Sequence, residues 1–171
     1  MTAKELAPEG YKEWLSEVKI QIHQTQQRAI RLVNTELIEL YWKIGNNLLI
    51  QQNEKNWGAK IVERLSHDLR TSFPDIKGFS PRNLIYMRTF AREWSDSEIT
   101  QQLVAQLPWS HNLILLSKLK TKEERLWYAK QIIEYGWSRN VLIHQIESKL
   151  IERKGKAITN FSNTCQSHNL I

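Results

Sequence analysis

Three observations predict an all-α fold. Apolar residues recur at spacings of three and four along most of the chain, helix-capping residues stand at the ends of those runs, and no stretch alternates apolar and polar residues as a half-buried strand would. A chain of 171 residues can bury a core as one domain, and 41% hydrophobic residues with seven tryptophans argue against general disorder. The pattern predicts a loose leader over 1–10, a single helical domain over 11–156 and a flexible tail over 157–171. Within the domain it predicts a long N-terminal helical pair followed by two helix-turn-helix-like units.

The first stripe runs through Trp14, Leu15, Val18, Ile22, Ala29, Ile30 and Val33. Asn34 and Thr35 then predict a break or a kink, with a second run through Leu37, Ile38, Tyr41, Trp42, Ile44, Leu48 and Leu49. Tyr41 and Trp42 lie within that stripe and read as core aromatics. Gly45 costs a helix about 1 kcal/mol relative to alanine, which suits a place where another helix comes close.

After the polar stretch Asn53–Gly58, a helix carries Ile61, Val62, Leu65 and Leu69 and ends at Phe73-Pro74. The loop Asp75–Phe79 leads to Ser80-Pro81, a capping serine with proline at the first helical position, where its missing N–H is not needed. Leu84, Met87, Ala91 and Trp94 form the apolar seam of the next helix, while Arg82, Asn83, Tyr86 and Thr89 occupy its other face. A short helix over Glu98–Leu107 closes at Pro108.

The stretch from Trp109 to Lys149 reads as three short helices. Ser110 is placed to cap the first, with Leu113, Ile114 and Leu116; Thr121 and Glu124 form a capping box for the second, with Leu126, Ala129, Ile132 and Ile133. Gly136 stops that helix, and Ser138 caps a third with Leu142, Ile146 and Leu150. Two helices joined by so short a turn must cross steeply, with Trp137 expected between them. That is the helix-turn-helix arrangement, in which the second helix offers its first turns to a DNA groove.

The exposed side of that second helix carries Arg139, Asn140, His144 and Lys149. Arginine can pair two donors with guanine or phosphate, and asparagine can pair with adenine. We therefore expect groove contacts from Arg139, Asn140 and His144, and backbone or flanking contacts from Arg82, Asn83, Tyr86 and Lys149. The same residue types also populate ordinary solvated helix faces. Charge distribution favours the first reading: the formal charge is +6, with ten Lys/Arg against five Asp/Glu over 109–156 and seven against three over 57–92. Residues 1–56 balance at seven and seven. The positive excess thus lies on the two helix-turn-helix-like units.

Catalytic and metal chemistry find little support. Cys165 is the single cysteine, so no disulfide within the chain is possible, and Cys165 with His168 supplies only half of a zinc spacing. Asp75 near Lys77, and Glu147 near Lys149, are fragments of the PD-(D/E)xK nuclease pattern without strands to carry them. No glycine-rich phosphate loop or nucleophile motif is present. No metal or cofactor is expected. The polar opening segment lacks a secretory signal and no apolar run approaches the roughly 20 residues that span a bilayer, so a cytoplasmic location with no membrane partner is expected.

Several stretches resemble the N-terminal domain of the YhcG-type family of bacterial PD-(D/E)xK nuclease proteins. They are Asn34–Leu37 with Tyr41, Trp42 and Gly45; Trp57-Gly58; Leu65-Ser66 with Asp68-Leu69; Phe73-Pro74; and Gly78–Ser80. Asn83-Leu84 with Met87-Arg88 and Phe90, Leu107–Trp109 with His111, Trp127-Tyr128, Gly136–Arg139, Gln145-Ile146 and Thr159–Phe161 continue the match. The resemblance covers about residues 11–161. It implies a helical, helix-turn-helix-like, DNA-binding domain ahead of a metal-dependent nuclease domain. After Phe161 the family continues into a linker and a strand-rich nuclease half, whereas this sequence ends in SNTCQSHNLI, so no nuclease activity is expected of it.

The expected function is accordingly a non-catalytic DNA-binding module, with duplex preferred over single strands. The alternative is a dimerisation or protein-interaction module, in which the neutral segment Tyr11–Gln52 pairs with a second copy or with a nuclease-bearing relative.

Overall fold

The computed structural model describes residues 8–55, 60–95 and 98–154, and all regular structure among them is helical. Residues 1–7 of the expected leader, the part of the polar stretch holding Trp57 and Gly58, and everything from residue 155, including Thr159–Phe161, Cys165 and His168, lie outside the described residues. The helices are α1 (Tyr11–Lys55), α2 (Lys60–Ser72), α3 (Pro81–Glu93), α4 (Glu98–Ala105), α5 (Trp109–Lys118), α6 (Lys122–Tyr135) and α7 (Arg139–Glu147), with a last helical stretch over 150–154. None is long and apolar enough to cross a membrane.

Local cap chemistry fixes four of the boundaries. Ser80 accepts a hydrogen bond from the Asn83 N–H with Pro81 at the first helical position, and Thr121 and Glu124 complete a capping box. Gly136 takes the left-handed conformation (φ 62°) that ends α6, and Ser138 accepts from the Val141 N–H to start α7. The α6–α7 connection is therefore three residues, as short as the sequence predicts.

Besides α4, which stops at Ala105 two residues short of the expected Leu107, three boundaries differ from expectation. The predicted break at Asn34-Thr35 is absent, and α1 runs unbroken for 45 residues. Asn34 does not act as a cap because its amide is used elsewhere: it donates to the Ala105 and Leu107 carbonyls at 3.3 and 3.1 Å. Asn112 meets the same chain end from the other side, donating to the Val104 and Leu107 carbonyls at 3.0 and 3.3 Å. Together they satisfy the Ala105 and Leu107 carbonyls at and just beyond the end of α4, and Asn112 adds a second donor at the Val104 carbonyl, which also accepts the Leu107 N–H. Ser110 is not the cap of α5. That helix begins two residues earlier, with Pro108 in the cap position and no side-chain cap, which places Trp109 inside its first turn. Finally, α7 ends at Glu147 and Lys149 adopts φ 52°, so Leu150 belongs to the next helical stretch although it still packs on the same core as Leu142 and Ile146.

The core is built as three contiguous clusters. Tyr41 and Leu48 of α1 pack with Val62, Phe79, Leu84 and Met87. Ile38 packs with Phe90, Trp94 and Val104, and α5, α6 and α7 enclose Leu115, Tyr128, Ile132 and Leu142. Trp42 is half-buried beside the second of these. The crossing of α1 on α3 is the tightest contact: a Cβ at Gly45 would lie 2.0 Å from the Met87 carbonyl oxygen. Arg125, almost fully buried, ties the halves together by donating to the Leu119 carbonyl and pairing with Glu93 at the end of α3. All of this packing engages α1 from Asn34 onward; of the preceding stretch, Arg31 borders a hollow shared with Leu107, Ile132 and Trp137.

Candidate nucleic-acid interface

Trp109 is the residue on which the candidate site is assembled. Its indole meets the rings of Tyr41 and Phe90 edge to face, with centroids 5.0 and 5.3 Å away. Its Nε1–H donates to Asn83 Oδ1 at 2.8 Å, and the Asn83 Nδ2 donates in turn to the Gly78 carbonyl at 2.6 Å. Gly78 adopts φ 115°, open to glycine at little cost, and a Cβ there would come within 2.6 Å of the Tyr41 hydroxyl. The contacts form a closed ring: Trp109, Asn83, Gly78, Tyr41. They fix the α2–α3 loop and the first turn of α3 against the first turn of α5.

The consequence is an open groove of about 870 Å³ between these elements. Lys77 from the loop, Arg82 and Tyr86 from α3, Ser110 and Ser117 from α5, and Arg139 from the start of α7 all line it, over a floor that includes Tyr41 and Trp109. No Asp or Glu is among the described residues lining it. Arg82 is held along α3, donating to the Tyr86 hydroxyl at 3.2 Å with its guanidinium 5.6 Å from the Tyr86 ring centre. That hydrogen bond is the main reason the Arg82 pKa is raised, so the guanidinium stays charged. A second hollow of about 630 Å³ continues past Lys77 and Ser80 to Arg70 and His67 of α2, again with no acid among its described lining residues.

The structure thus brings Arg82, Asn83, Tyr86 and Arg139 together and separates the other expected residues from them. Asn83 lines the groove, but both ends of its amide are engaged internally, so it positions the wall. Asn140 and His144 are exposed on the outer face of α7, roughly 100–140° around the helix from Arg139 at 3.6 residues per turn. Lys149 does not continue that face: it sits in the turn after α7, its ammonium 3.3 Å from Glu152. Lys77, Ser110 and Ser117 line the groove and were not read from the sequence as nucleic-acid contacts. Only the basic charge of the 57–92 segment hinted at Lys77. Trp137 is half-buried against the α5–α7 core and stacks on Tyr135 at 6.0 Å and 19°, while its carbonyl accepts from His111 Nε2 at 2.9 Å. It lines a different hollow, facing Arg31 and Thr35 of α1.

Fold and groove define a helical module with a basic cleft between α3, α5 and the start of α7. Among the described residues, no group of three or more His, Cys, Asp or Glu could hold a metal ion. The chain belongs to the family described as the DUF1016 N-terminal domain, which it matches over residues 17–153. It is 27% identical over 177 aligned positions to the Escherichia coli K12 protein "Putative nuclease YhcG", an alignment covering 84% of this chain and 46% of that one. The chain therefore spans about half the length of that curated relative. The resemblance to the YhcG-type N-terminal domain drawn from the sequence holds. No solved structure matches the chain.

Proposed function

We propose that this domain binds DNA, seating a stretch of phosphate backbone in the groove between α3, α5 and α7 and presenting the outer face of α7 to base edges. The observation that carries the reading is the acid-free lining of the groove by Lys77, Arg82 and Arg139. A channel with cations on both walls and no carboxylate favours a polyanion over an acidic peptide of scattered charge, because phosphates offer one charge at every backbone step. The three-residue α6–α7 turn supports the rest. It exposes Asn140 and His144 at the start of a helix, where an amide and an imidazole have base edges within their chemistry. Duplex DNA suits this division into backbone cleft and reading helix better than single strands, since the exposed face of α7 offers hydrogen-bonding groups and no large ring beyond its neighbours' stacked pair. The relative's name connects it with nuclease chemistry, and on our reading this domain supplies the grip for such chemistry and performs none of it.

Fluorescence anisotropy of labelled duplex and single-stranded DNA, titrated at several salt concentrations, tests the proposal. Affinity should fall steeply with salt, with a logarithmic slope of about 0.9 per phosphate contacted. Arg82→Glu and Arg139→Glu should each weaken binding and flatten that slope by about one contact, irrespective of sequence. Asn140→Ala should weaken binding to a preferred sequence and leave the slope unchanged. A curve indifferent to salt and to both arginine variants would overturn the proposal. Plasmid incubated with the protein and Mg²⁺ or Mn²⁺ should remain intact; cleavage that co-purifies with the chain and disappears on its removal would show that the domain is more than a grip.

A further inference from the structure

The first part of α1 carries a large uncovered apolar surface, although Arg31 near its end borders the hollow that Trp137 lines. Asn34 is the first α1 residue hydrogen-bonded to another helix's chain end, and Tyr11–Val33 precede it over about 34 Å at 1.5 Å per residue. Helices in water draw most of their stability from packing an apolar face, and this one has such a face uncovered. Trp14 is 59% exposed, Ile30 69%, Leu32 65% and Val33 68%. Tyr11, Leu15, Val18, Ile22, Ala29, Val33 and Leu40 fall within an arc of about 60° at 3.6 residues per turn, a single straight stripe. Glu13, Glu17, Arg28 and Arg31 lie more than about 100° from its centre by the same periodicity. Up to Leu40, exposed Glu36 is the one charged residue inside the arc, so pairing along the whole stripe brings a single carboxylate per copy to the seam.

We infer that this stripe is the pairing surface for a second copy of the chain, and that two α1 arms associate antiparallel about a two-fold axis near residues 25 and 26. Two observations choose that occupant. The first is layout. A polar midsection, His23–Arg28, separates two largely apolar blocks of similar length, so antiparallel pairing sets Ile22 opposite Ala29, Val18 opposite Val33 and Tyr11 opposite Leu40, with Leu15 meeting Glu36 and the polar midsection facing itself. A self-complementary patch of this kind is what a two-fold interface requires. The second is area. Aliphatic side chains carry roughly 60–120 Å² of apolar surface and aromatic ones 150–250 Å². At the observed exposures the stripe and its edges present on the order of 500 Å² per copy. Interfaces are about 60% apolar, so the whole contact approaches the roughly 800 Å² per partner of a standard stable complex. The inference rests on α1 alone and stands apart from the reading of the groove.

Sedimentation equilibrium at high salt tests it, because high salt dissolves nucleic-acid contacts and leaves an apolar interface intact. The wild type should sediment at twice the chain mass of 20.3 kDa. The double variant Ile22→Glu with Val33→Glu should sediment at the single-chain mass while keeping the cooperative urea transition of the body. Arg28→Glu, on the far face of the arm, should remain dimeric. Wild type at single-chain mass throughout the concentration range would overturn the inference, as would a double variant that stays dimeric; a monomer that instead captures a different protein through the stripe counts with the former. Should the glutamates disturb folding, cysteine pairing decides. In a Cys165→Ser background, mixed Val18→Cys and Val33→Cys chains should form a disulfide between copies far faster than either variant does with itself. Equal or absent cross-linking would exclude the antiparallel pair.

Discussion

Gly45→Ala should cost the fold about 3 kcal/mol, the upper part of the range for overpacked cores, and lower the melting temperature by roughly 6–12 °C for a chain of this size. Two effects oppose each other here. Alanine raises helix propensity by about 1 kcal/mol, which alone would make the variant more stable than the wild type. Against this, the new Cβ would stand 2.0 Å from the Met87 carbonyl oxygen, 2.4 Å from its carbon and 2.9 Å from the Arg88 nitrogen, and all three are backbone atoms that no rotamer can move. The helices must therefore separate, loosening Leu48, Leu84 and Met87 between them, and the steric term wins. Urea denaturation followed by far-ultraviolet circular dichroism reads the difference. A variant as stable as the wild type would show that α1 and α3 do not cross so closely. Gly136 offers the contrast: a Cβ there meets nothing within 4 Å, so alanine at that position is opposed only by its left-handed backbone, at about 1–2 kcal/mol.

Trp109→Ala should be nearly as damaging, at about 3 kcal/mol, the low end for removal of a large aromatic because the indole is only half-buried. The more informative variant is Trp109→Phe. It keeps a ring between Tyr41 and Phe90 but deletes the N–H that holds Asn83, so it should cost about 1 kcal/mol, a typical net hydrogen bond. Because Asn83 in turn holds the Gly78 carbonyl, and with it the loop carrying Lys77, the phenylalanine variant should weaken DNA binding several-fold while remaining folded. Equal stability losses in the two variants would mean that the hydrogen bond, not the ring, carries the contribution of Trp109. Unchanged DNA affinity in a folded Trp109→Phe would uncouple the loop from the groove.

How far each feature could be read from sequence follows the range of the interaction that produces it. Ser80, Thr121 with Glu124, Gly136 and Ser138 act on backbone within three residues, and their roles were legible. Gly45 was legible as a close approach because a glycine inside a strong helical pattern needs a reason. Asn34 was misleading, since its amide is satisfied by carbonyls 71 and 73 residues away and the helix passes through unbroken. Asn83 read as a solvent-facing hydrogen-bonding residue for the same cause: one partner lies 26 residues ahead. The basic segments were visible as charge, but the groove is formed by a loop and the ends of three helices. Only the fold could show that Arg82 and Arg139 share it while Asn140 and His144 face elsewhere.

The continuity of α1 also sets a phase. Because α1 runs as one unbroken helix from the arm into the body, the angle between the apolar stripe and the groove is stored in a residue count. One residue inserted between Arg28 and Asn34 would turn the arm by about 100° and lengthen it by about 1.5 Å, while seven would extend it by about 10 Å and return it to within about 20° of its original bearing. The chain can thus change its reach in steps of whole heptads and keep its aim, but any other change in length alters both together.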